Sequence, residues 1–267
     1  MIKTFNQLTQ RLEPPLLSIV TVTHNDSEGL RQTLESIFTQ RRGLNRTQVV
    51  VVNASPGGPS TQLTNQFLRR RDTVIAEPDE GIYDGMNKGW RSSSGRFVQF
   101  LNSGDTFFDN SSLGVITDAL TSHPGARWAI GRAMHQFGGA KAPSEMHTIP
   151  HVWWRHAMGI DGHCHQSTLF SRELLEVMDG YDETVGFVAD FDLILRCGLV
   201  GPPVEIDSIV VKYEGGGLSL NQREEIPGLL RVVRAKRLGL SDEALEIEWQ
   251  LMPEHQRKII EDQSRGN

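Results

Sequence analysis

The feature that most constrains the fold is the alternation of strand-like and helix-like segments in the first part of the chain. Strand patterns are predicted at Leu16–Val22, Val49–Val52, Thr73–Ala76 and Phe97–Leu101, and apolar residues at helical spacing separate them. Strands that alternate with helices form a parallel sheet with right-handed crossovers. We therefore predict an α/β fold with a Rossmann-like, mostly parallel sheet flanked by helices.

A polar turn, Asn102-Ser103-Gly104-Asp105, follows the fourth of these strands. Open α/β sheets hold their ligands at the carboxyl ends of the strands. Asp105 is thus placed to hold a divalent cation against a phosphate, because hard cations take oxygen ligands. The alternative is a turn that merely uses turn-forming residues. The segment before it favours a site, since four polar residues are predicted to share one short helix: Tyr83, Asp84, Asn87 and Lys88.

The segment from Glu77 reads Glu-Pro-Asp-Glu-Gly-Ile-Tyr-Asp-Gly-Met-Asn-Lys-Gly, and the segment before Asp105 reads Phe-Val-Gln-Phe-Leu-Asn-Ser-Gly. This pattern resembles the family 2 glycosyltransferases of the GT-A fold, and within them the colanic-acid and surface-polysaccharide branch. The likeness continues more thinly over roughly residues 16–220, in four short segments: Ser18–Asn25, His165-Gln166, Ala189–Asp192 and Gly215–Ser219.

The resemblance implies an inverting, divalent-metal-dependent glycosyltransferase that moves a sugar from a nucleoside-diphosphate sugar to a hydroxyl of a glycan or lipid-linked acceptor in surface-polysaccharide biosynthesis. Asp105 matches the residue that holds Mn²⁺ or Mg²⁺. His165 and Gln166 are expected to face the donor sugar or the acceptor, and Lys88 either approaches the diphosphate or caps its own helix. The residues expected at the donor are Thr23, Asn25, Asn53, Asp84, Asn87, Lys88, Asn102, Ser103, His165 and Gln166.

Asp190 matches the catalytic base of the family. An aspartate is ionised at neutral pH, so it can accept the proton of an acceptor hydroxyl. The alternative is that Asp190 and Asp192 are first-turn carboxylates that stabilise a helix dipole. We expect that role for Asp192 and the catalytic role for Asp190.

Asn53 departs from the family pattern, which usually has an aspartate after the second strand. The neutral amide of Asn53 can accept a hydrogen bond from a uracil imide but pairs less strongly than a carboxylate with a guanine edge. UDP is therefore weakly preferred as the nucleotide of the donor.

The chain divides into a single domain over residues 1–220 and a helical extension over residues 221–267. Within the domain we predict a tail at 1–15, a nucleotide-sugar-binding half at 16–110 and an acceptor half at 111–220. The extension carries a predicted basic helix face. It is either a solvated face or one that contacts anionic lipid, and it is formed by Arg231, Arg234, Lys236 and Arg237.

Composition excludes some classes of function. The net charge of −6 argues against nucleic acid as a partner, because phosphate backbones require a basic face. No apolar run approaches the length of a membrane span and no signal-peptide pattern opens the chain. Two cysteines are too few for a disulfide framework. We expect a cytoplasmic protein that can lie peripherally at the inner face of the cell membrane.

Two other functions compete with the transferase. A sugar-nucleotide pyrophosphorylase would also place a metal-binding aspartate beside a parallel sheet, but its first strand should lead into a Gly-rich loop, whereas Thr23-His24-Asn25-Asp26 has no glycine. A non-catalytic nucleotide-sugar- or carbohydrate-binding module would account for Asn53 and for the single aspartate in the polar turn. Asp105 and Asp190 together favour the enzyme.

Overall fold

The computed structural model describes residues 14–135, 144–146, 149–213, 225–255, 257–258 and 261. Within these residues the strands are β1 (Leu17–Thr23), β2 (Thr47–Asn53), β3 (Thr73–Ala76), β4 (Phe97–Phe100), β5 (Thr106–Phe107), β6 (Trp128–His135), β7 (Ser144–Met146), β8 (Thr168–Ser171) and β9 (Val204–Tyr213). The α-helices are α1 (Ser27–Phe38), α2 (Pro59–Phe67), α3 (Ile82–Arg91), α4 (Ser112–Ser122), α5 (Trp153–Ala157), α6 (Arg172–Met178), α7 (Ala189–Val200), α8 (Ile226–Leu238) and α9 (Asp242–Leu251).

The strands form one sheet in the order β3-β2-β1-β4-β8-β6-β9-β5, and β7 pairs with β6. Strands β3, β2, β1 and β4 are mutually parallel. Beyond β4 the sheet is mixed, because β8 is antiparallel to both β4 and β6, whereas β6 and β9 are parallel. The predicted α/β fold is confirmed, and the four strands predicted from the first part of the chain are all present.

The core lies on both faces of the sheet, because successive residues of a strand point to opposite sides. On β1, Ile19 packs with α1 and α4 on one face, and Val20 and Val22 pack on the other face in a cluster with residues of α3, α6 and α7. All three valine or isoleucine side chains are buried. Helices therefore pack against both faces of the central sheet, with one apolar cluster on each face.

Two glycines of the predicted motif let α3 lie directly on β1. A Cβ at Gly89 would stand 2.3 Å from a methyl of Val20, and one at Gly85 would stand 2.8 Å from a methyl of Val22. Such distances are far below van der Waals contact, so a side chain at either position would push the helix away. The close packing brings the amino end of α3, with Tyr83, to the carboxyl ends of the parallel strands.

The second half of the chain shows two differences from the sequence-based prediction. The sequence pattern predicts a strand only over Trp128–Gly131 in this region, whereas β6 continues to His135, because it pairs with β9 on one side and with β7 and β8 on the other. The short helix α5 was not predicted. The Gly-rich segment Gly215–Ser219 lies outside the described residues.

The four cations of the predicted basic face of α8 all meet carboxylates, and contact of this face with anionic lipid stays a prediction. Arg231 and Arg234 lie 3.6 Å from Glu246 and Glu248 of α9. Lys236 and Arg237 both contact the carboxylate of Asp182. Arg237 also contacts Asp192, which is fully buried and bound to Arg196. Asp192 thus forms a buried ion network that ties α7 to α8, beyond the predicted helix-dipole role.

None of the described helices combines the length and the apolar character that crossing a membrane requires. The boundary between a domain at 1–220 and an extension at 221–267 stays a prediction.

Candidate active site

A cleft of about 380 Å³ opens at the carboxyl ends of the central strands. We call it the strand-end cleft. Six residues predicted for the site line it: Asn102, Ser103, Asp105, His165, Gln166 and Asp190. The other lining residues are Ile82, Tyr83, Met86, Met146, His163, Cys164, Phe187 and Tyr213.

Asp105 lies on the floor of this cleft, and only 5% of the residue is exposed. Its Oδ2 accepts a hydrogen bond from Nε2 of Gln166 at 3.0 Å. Gln166 is itself held, since its carbonyl accepts from Gln99 of β4 and its Oε1 accepts from the Cys164 thiol. Burial raises the pKa of Cys164 to about 12, so the thiol remains a neutral donor. The predicted metal ligand is therefore oriented by Gln166, which is itself anchored to β4.

Asn102 and Ser103 stand beside Asp105 in the same turn. The Oδ1 atom of Asn102 is buried and has no hydrogen-bond partner in the part of the chain that the structure describes. A buried acceptor without a partner is costly, and a cation or a bound donor group would remove that cost. Ser103 donates to the carboxylate of Asp26 at 2.8 Å. Asp26 also caps α1 by accepting from the Gly29 N–H.

These groups fit a divalent cation in part. Asp105 supplies a carboxylate and Asn102 supplies an orphaned carbonyl oxygen, which are the hard ligands that Mg²⁺ and Mn²⁺ prefer. Among the described residues, no group of three or more histidine, cysteine, aspartate or glutamate side chains is arranged to hold a metal. The remaining ligands would come from substrate oxygens and water, as in sites where Mg²⁺ binds together with phosphates.

Asp190 occupies the first turn of α7 on the wall of the cleft and is half-buried. Its Oδ1 accepts from the Phe191 N–H at 2.8 Å. Two tyrosines flank it. Burial and then the charge of Asp190 raise the pKa values of Tyr83 and Tyr181, so both hydroxyls stay protonated beside the carboxylate. The Tyr83 hydroxyl donates to the Phe187 carbonyl at 3.0 Å.

His165 lies close to the same carboxylate. It is buried, its Nδ1 is 3.5 Å from the Tyr181 hydroxyl, and the charge of Asp190 acts on it. Burial lowers its pKa, so the ring is neutral at pH 7. A neutral imidazole can donate or accept one hydrogen bond at the substrate without adding charge.

A cluster of three histidines extends from the cleft behind Asp190, and the sequence-based reasoning did not find it. Nδ1 of His151 and Nε2 of His163 are 3.0 Å apart, and the His156 and His163 rings are 4.7 Å apart. Nε2 of His156 lies 3.1 Å from the carbonyl of Phe191, the residue after Asp190. Burial lowers the pKa of His156 to about 4 and that of His163 to about 2. The spacing of these residues in the chain gave no periodic signal that could have grouped them.

Three residues predicted at the nucleotide lie outside the strand-end cleft, at the ends of β1 and β2. Thr23 is buried, and its hydroxyl donates to the Asp26 carbonyl at 3.1 Å. Asn25 is exposed with a left-handed φ of 51°, and its N–H donates to the Ser55 hydroxyl. Asn53 is fully buried, with Oδ1 accepting from the Ser55 N–H at 3.0 Å. These contacts shape the loop after β2, and a role at the base stays a prediction for all three.

The three predicted residues of α3 also lie outside the cleft. Asp84 and Lys88 form an ion pair at 3.0 Å, and Lys88 donates to the Pro78 carbonyl. Asn87 is buried and joins α3 to the segment before α7, because its amide donates to the Tyr181 carbonyl at 3.0 Å and its Oδ1 accepts from the Tyr181 N–H. These contacts hold α3 against neighbouring segments of the protein. Contact of Asp84, Asn87 and Lys88 with the donor stays a prediction.

Comparison with known proteins agrees with this geometry. The model of Glycosyl transferase family 2 matches residues 18–170, more than half of the 267-residue chain. An uncharacterized glycosyltransferase of Mycobacterium tuberculosis is 29% identical over 208 residues, which are 76% of this chain and 77% of the relative. A PGL/p-HBAD biosynthesis glycosyltransferase of Mycobacterium bovis is 25% identical over 240 residues, which are 85% of this chain and 87% of the relative.

Solved structures share the fold. S. aureus TarS 1–349 has a TM-score of 0.66 at 15% identity, with 92% of this chain and 71% of that chain covered. The mannosyltransferase PcManGT from Pyrobaculum calidifontis, solved with GDP-Man and Mn²⁺, has a TM-score of 0.61 at 14% identity, with 94% and 74% covered.

The predicted colanic-acid and surface-polysaccharide branch is not confirmed by these relatives. The pyrophosphorylase and the non-catalytic module are set aside, because the sequence match and the named relatives agree on transferase activity. The chain belongs to glycosyltransferase family 2, and it is a glycosyltransferase of the GT-A fold.

Proposed function

We propose that the enzyme transfers a sugar, with inversion, from a nucleoside-diphosphate sugar to a hydroxyl of a glycan or lipid-linked acceptor. The observation that supports this most directly is the meeting of Asp105, the orphaned Asn102 oxygen and Asp190 in one cleft at the carboxyl ends of the strands. Asp105 and Asn102 can hold a cation against the diphosphate of a donor. Asp190 can accept the proton of an attacking hydroxyl.

Asp105 and Asn102 would hold Mn²⁺ or Mg²⁺ in this proposal. When bound, such a cation neutralises the negative charge that builds up on a departing diphosphate. The protein's part is to keep the ligands in place. Gln166 does so for Asp105, and it is anchored through Gln99 to the neighbouring strand β4.

Asp190 would act as the general base. As the acceptor oxygen forms its bond to the anomeric carbon, the bond to the diphosphate oxygen breaks and the acceptor proton passes to the carboxylate. The Phe191 N–H fixes one carboxylate oxygen, so the second is presented in a defined direction. The protonated Tyr83 and the neutral His165 line the same wall and add no positive charge that would lower the basicity of the Asp190 carboxylate.

The nucleotide of the donor is the finer part of the proposal, and we keep the weak preference for UDP. Structural neighbours were solved with UDP, with UDP-GlcNAc and with GDP-Man, so the fold accepts either base. Calorimetry with UDP and GDP, each with and without Mn²⁺, measures the preference and the metal dependence together. Equal affinity for both diphosphates would remove the UDP preference.

Asp190→Asn tests the base, because it preserves shape and removes the proton acceptor. Donor affinity should persist, while transfer, or donor hydrolysis as a proxy, should fall by roughly 10²-fold or more. Asp118→Asn is the matched control, since Asp118 is an exposed carboxylate on α4 that pairs with Arg42. Transfer at the parent rate by Asp190→Asn would refute the assignment and would make His165 the next candidate.

A further inference from the structure

A second cavity, of about 370 Å³, lies at the other end of the strands, opposite the strand-end cleft. It is lined by residues 14–16 and by Asn45, Arg46, Arg71 and Arg96, and we call it the arginine pocket. Arg46 and Arg96 immediately precede β2 and β4, so the pocket is at the amino ends of parallel strands. The four residues of β4 separate this end from the strand-end cleft by about 13 Å. The donor diphosphate of the proposed reaction cannot occupy both.

The backbone places these arginines around one opening. The Arg46 carbonyl accepts from the Leu16 N–H at 2.8 Å, and the Arg96 N–H donates to the Pro15 carbonyl at 3.0 Å. The segment before β1 therefore links the residues that precede its two sheet neighbours. Arg71 joins from the third side, where its Nη1 donates to the Asn45 carbonyl at 2.5 Å.

The three guanidinium groups meet only neutral partners in the described part of the chain. Arg46 donates to the Thr121 hydroxyl at 2.9 Å and Arg96 donates to the Pro124 carbonyl. The acid nearest in sequence, Asp72, has a fully buried side chain that is bound by Arg69. Three other surface arginines, Arg31, Arg42 and Arg172, are instead paired with carboxylates.

Among the residues that the structure describes, no carboxylate pairs with these three positive charges, although the net charge of the chain is −6. Each guanidinium has five N–H donors, and a neutral group accepts from one of them in each of the three arginines. The remaining donors form planar forks that match phosphate oxygens, and a bound anion would relieve the mutual repulsion of the arginines. The volume is large enough for more than a single phosphate.

We propose that the arginine pocket binds a phosphate-bearing anion at a site separate from the catalytic cleft. The ligand is either a soluble phosphate ester or the headgroup of an anionic phospholipid, since both present the same oxygens. This site does not depend on the donor, the base or the metal of the proposed reaction.

Pyrophosphate binding in the presence of EDTA tests the site, because chelation removes the cation that the strand-end cleft would need. The variant Arg46→Gln/Arg71→Gln/Arg96→Gln should bind pyrophosphate at least tenfold more weakly than the parent. The control Arg31→Gln/Arg42→Gln/Arg172→Gln changes the net charge equally and should bind like the parent. Binding should also weaken as salt rises.

Flotation with vesicles separates the two sources. Vesicles of phosphatidylglycerol and phosphatidylcholine should retain the parent and release the pocket variant if a headgroup is the ligand, whereas pure phosphatidylcholine should retain neither. If the triple variant does not fold, Arg71→Gln alone should still weaken binding severalfold. The proposal is overturned if neither probe binds the parent, or if pocket and control variants lose binding equally.

Discussion

Acidification should destabilise this enzyme through the buried histidines behind Asp190. His156 is buried beside His163 and the Phe191 carbonyl, and burial lowers its pKa from 6.5 to about 4. The unfolded chain binds a proton on this ring near pH 6.5, whereas the folded protein does not until the pH approaches 4. The contribution of the neutral His156 to the free energy of unfolding is therefore complete above pH 6.5, and it is lost as the pH falls from 6.5 to about 4.

The size of the loss follows from the pKa values of His156 in the two states. The shift from 6.5 to about 4 is worth about 3 kcal/mol when titration is complete. Between pH 7 and pH 5, roughly 2 kcal/mol of this is lost from His156 alone. Burial also lowers the pKa values of His151 and His163, so they act in the same direction and increase the loss.

Urea unfolding at pH 7 and pH 5 measures this loss. His156→Gln should shift the free energy of unfolding at both pH values but should reduce its change between them by roughly 2 kcal/mol. His123→Gln is the control, because His123 is exposed, and it should keep the parent's pH dependence. The reasoning is refuted if His156→Gln and the parent lose the same free energy between pH 7 and pH 5.

Three further predictions follow from the site and its supports. Asp105→Asn can keep the hydrogen bond from Gln166, so it should melt like the parent in thermal unfolding, yet calorimetry should show no gain in diphosphate affinity from Mn²⁺; a persisting gain would contradict the metal assignment. Tyr83→Phe removes the hydrogen bond to the Phe187 carbonyl and should lower kcat by up to about tenfold with KM for the donor unchanged, so an unchanged kcat in steady-state kinetics would count against it. Asp192→Ala leaves two arginines without their shared carboxylate and should cost about 3–5 kcal/mol in urea unfolding; a loss below about 1 kcal/mol would show that the ion network is dispensable.

Much of the fold and part of the site were predictable because their signals are local. The strand at Thr73–Ala76 and the helix that carries Tyr83 have the predicted positions. The turn with Asp105 was identified as a candidate site because it ends an apolar strand, and such turns collect at one edge of a parallel sheet. The six predicted residues of the strand-end cleft come from this rule and from the family resemblance.

The sequence did not show that some of the predicted donor residues would lie outside the strand-end cleft. Asn87 shares a helix with Tyr83, but its side chain meets Tyr181, which is 94 positions away in the chain. Which face of α3 turns toward the cleft depends on the close packing of Gly89 against Val20. A helical pattern gives the faces but does not say what each face will meet.

By itself, the sequence determined the alternation of strands and helices, the strand ends where the candidate site lies, and the resemblance that proposes Asp190 as the base and Asp105 as the metal ligand. Only the tertiary structure decided that the cations of α8 are paired, that three histidines meet behind Asp190, and that three arginines surround one opening. The physical reason is that periodicity and turn chemistry act between near neighbours. Charge pairing and burial, in contrast, depend on which distant segments pack against each other.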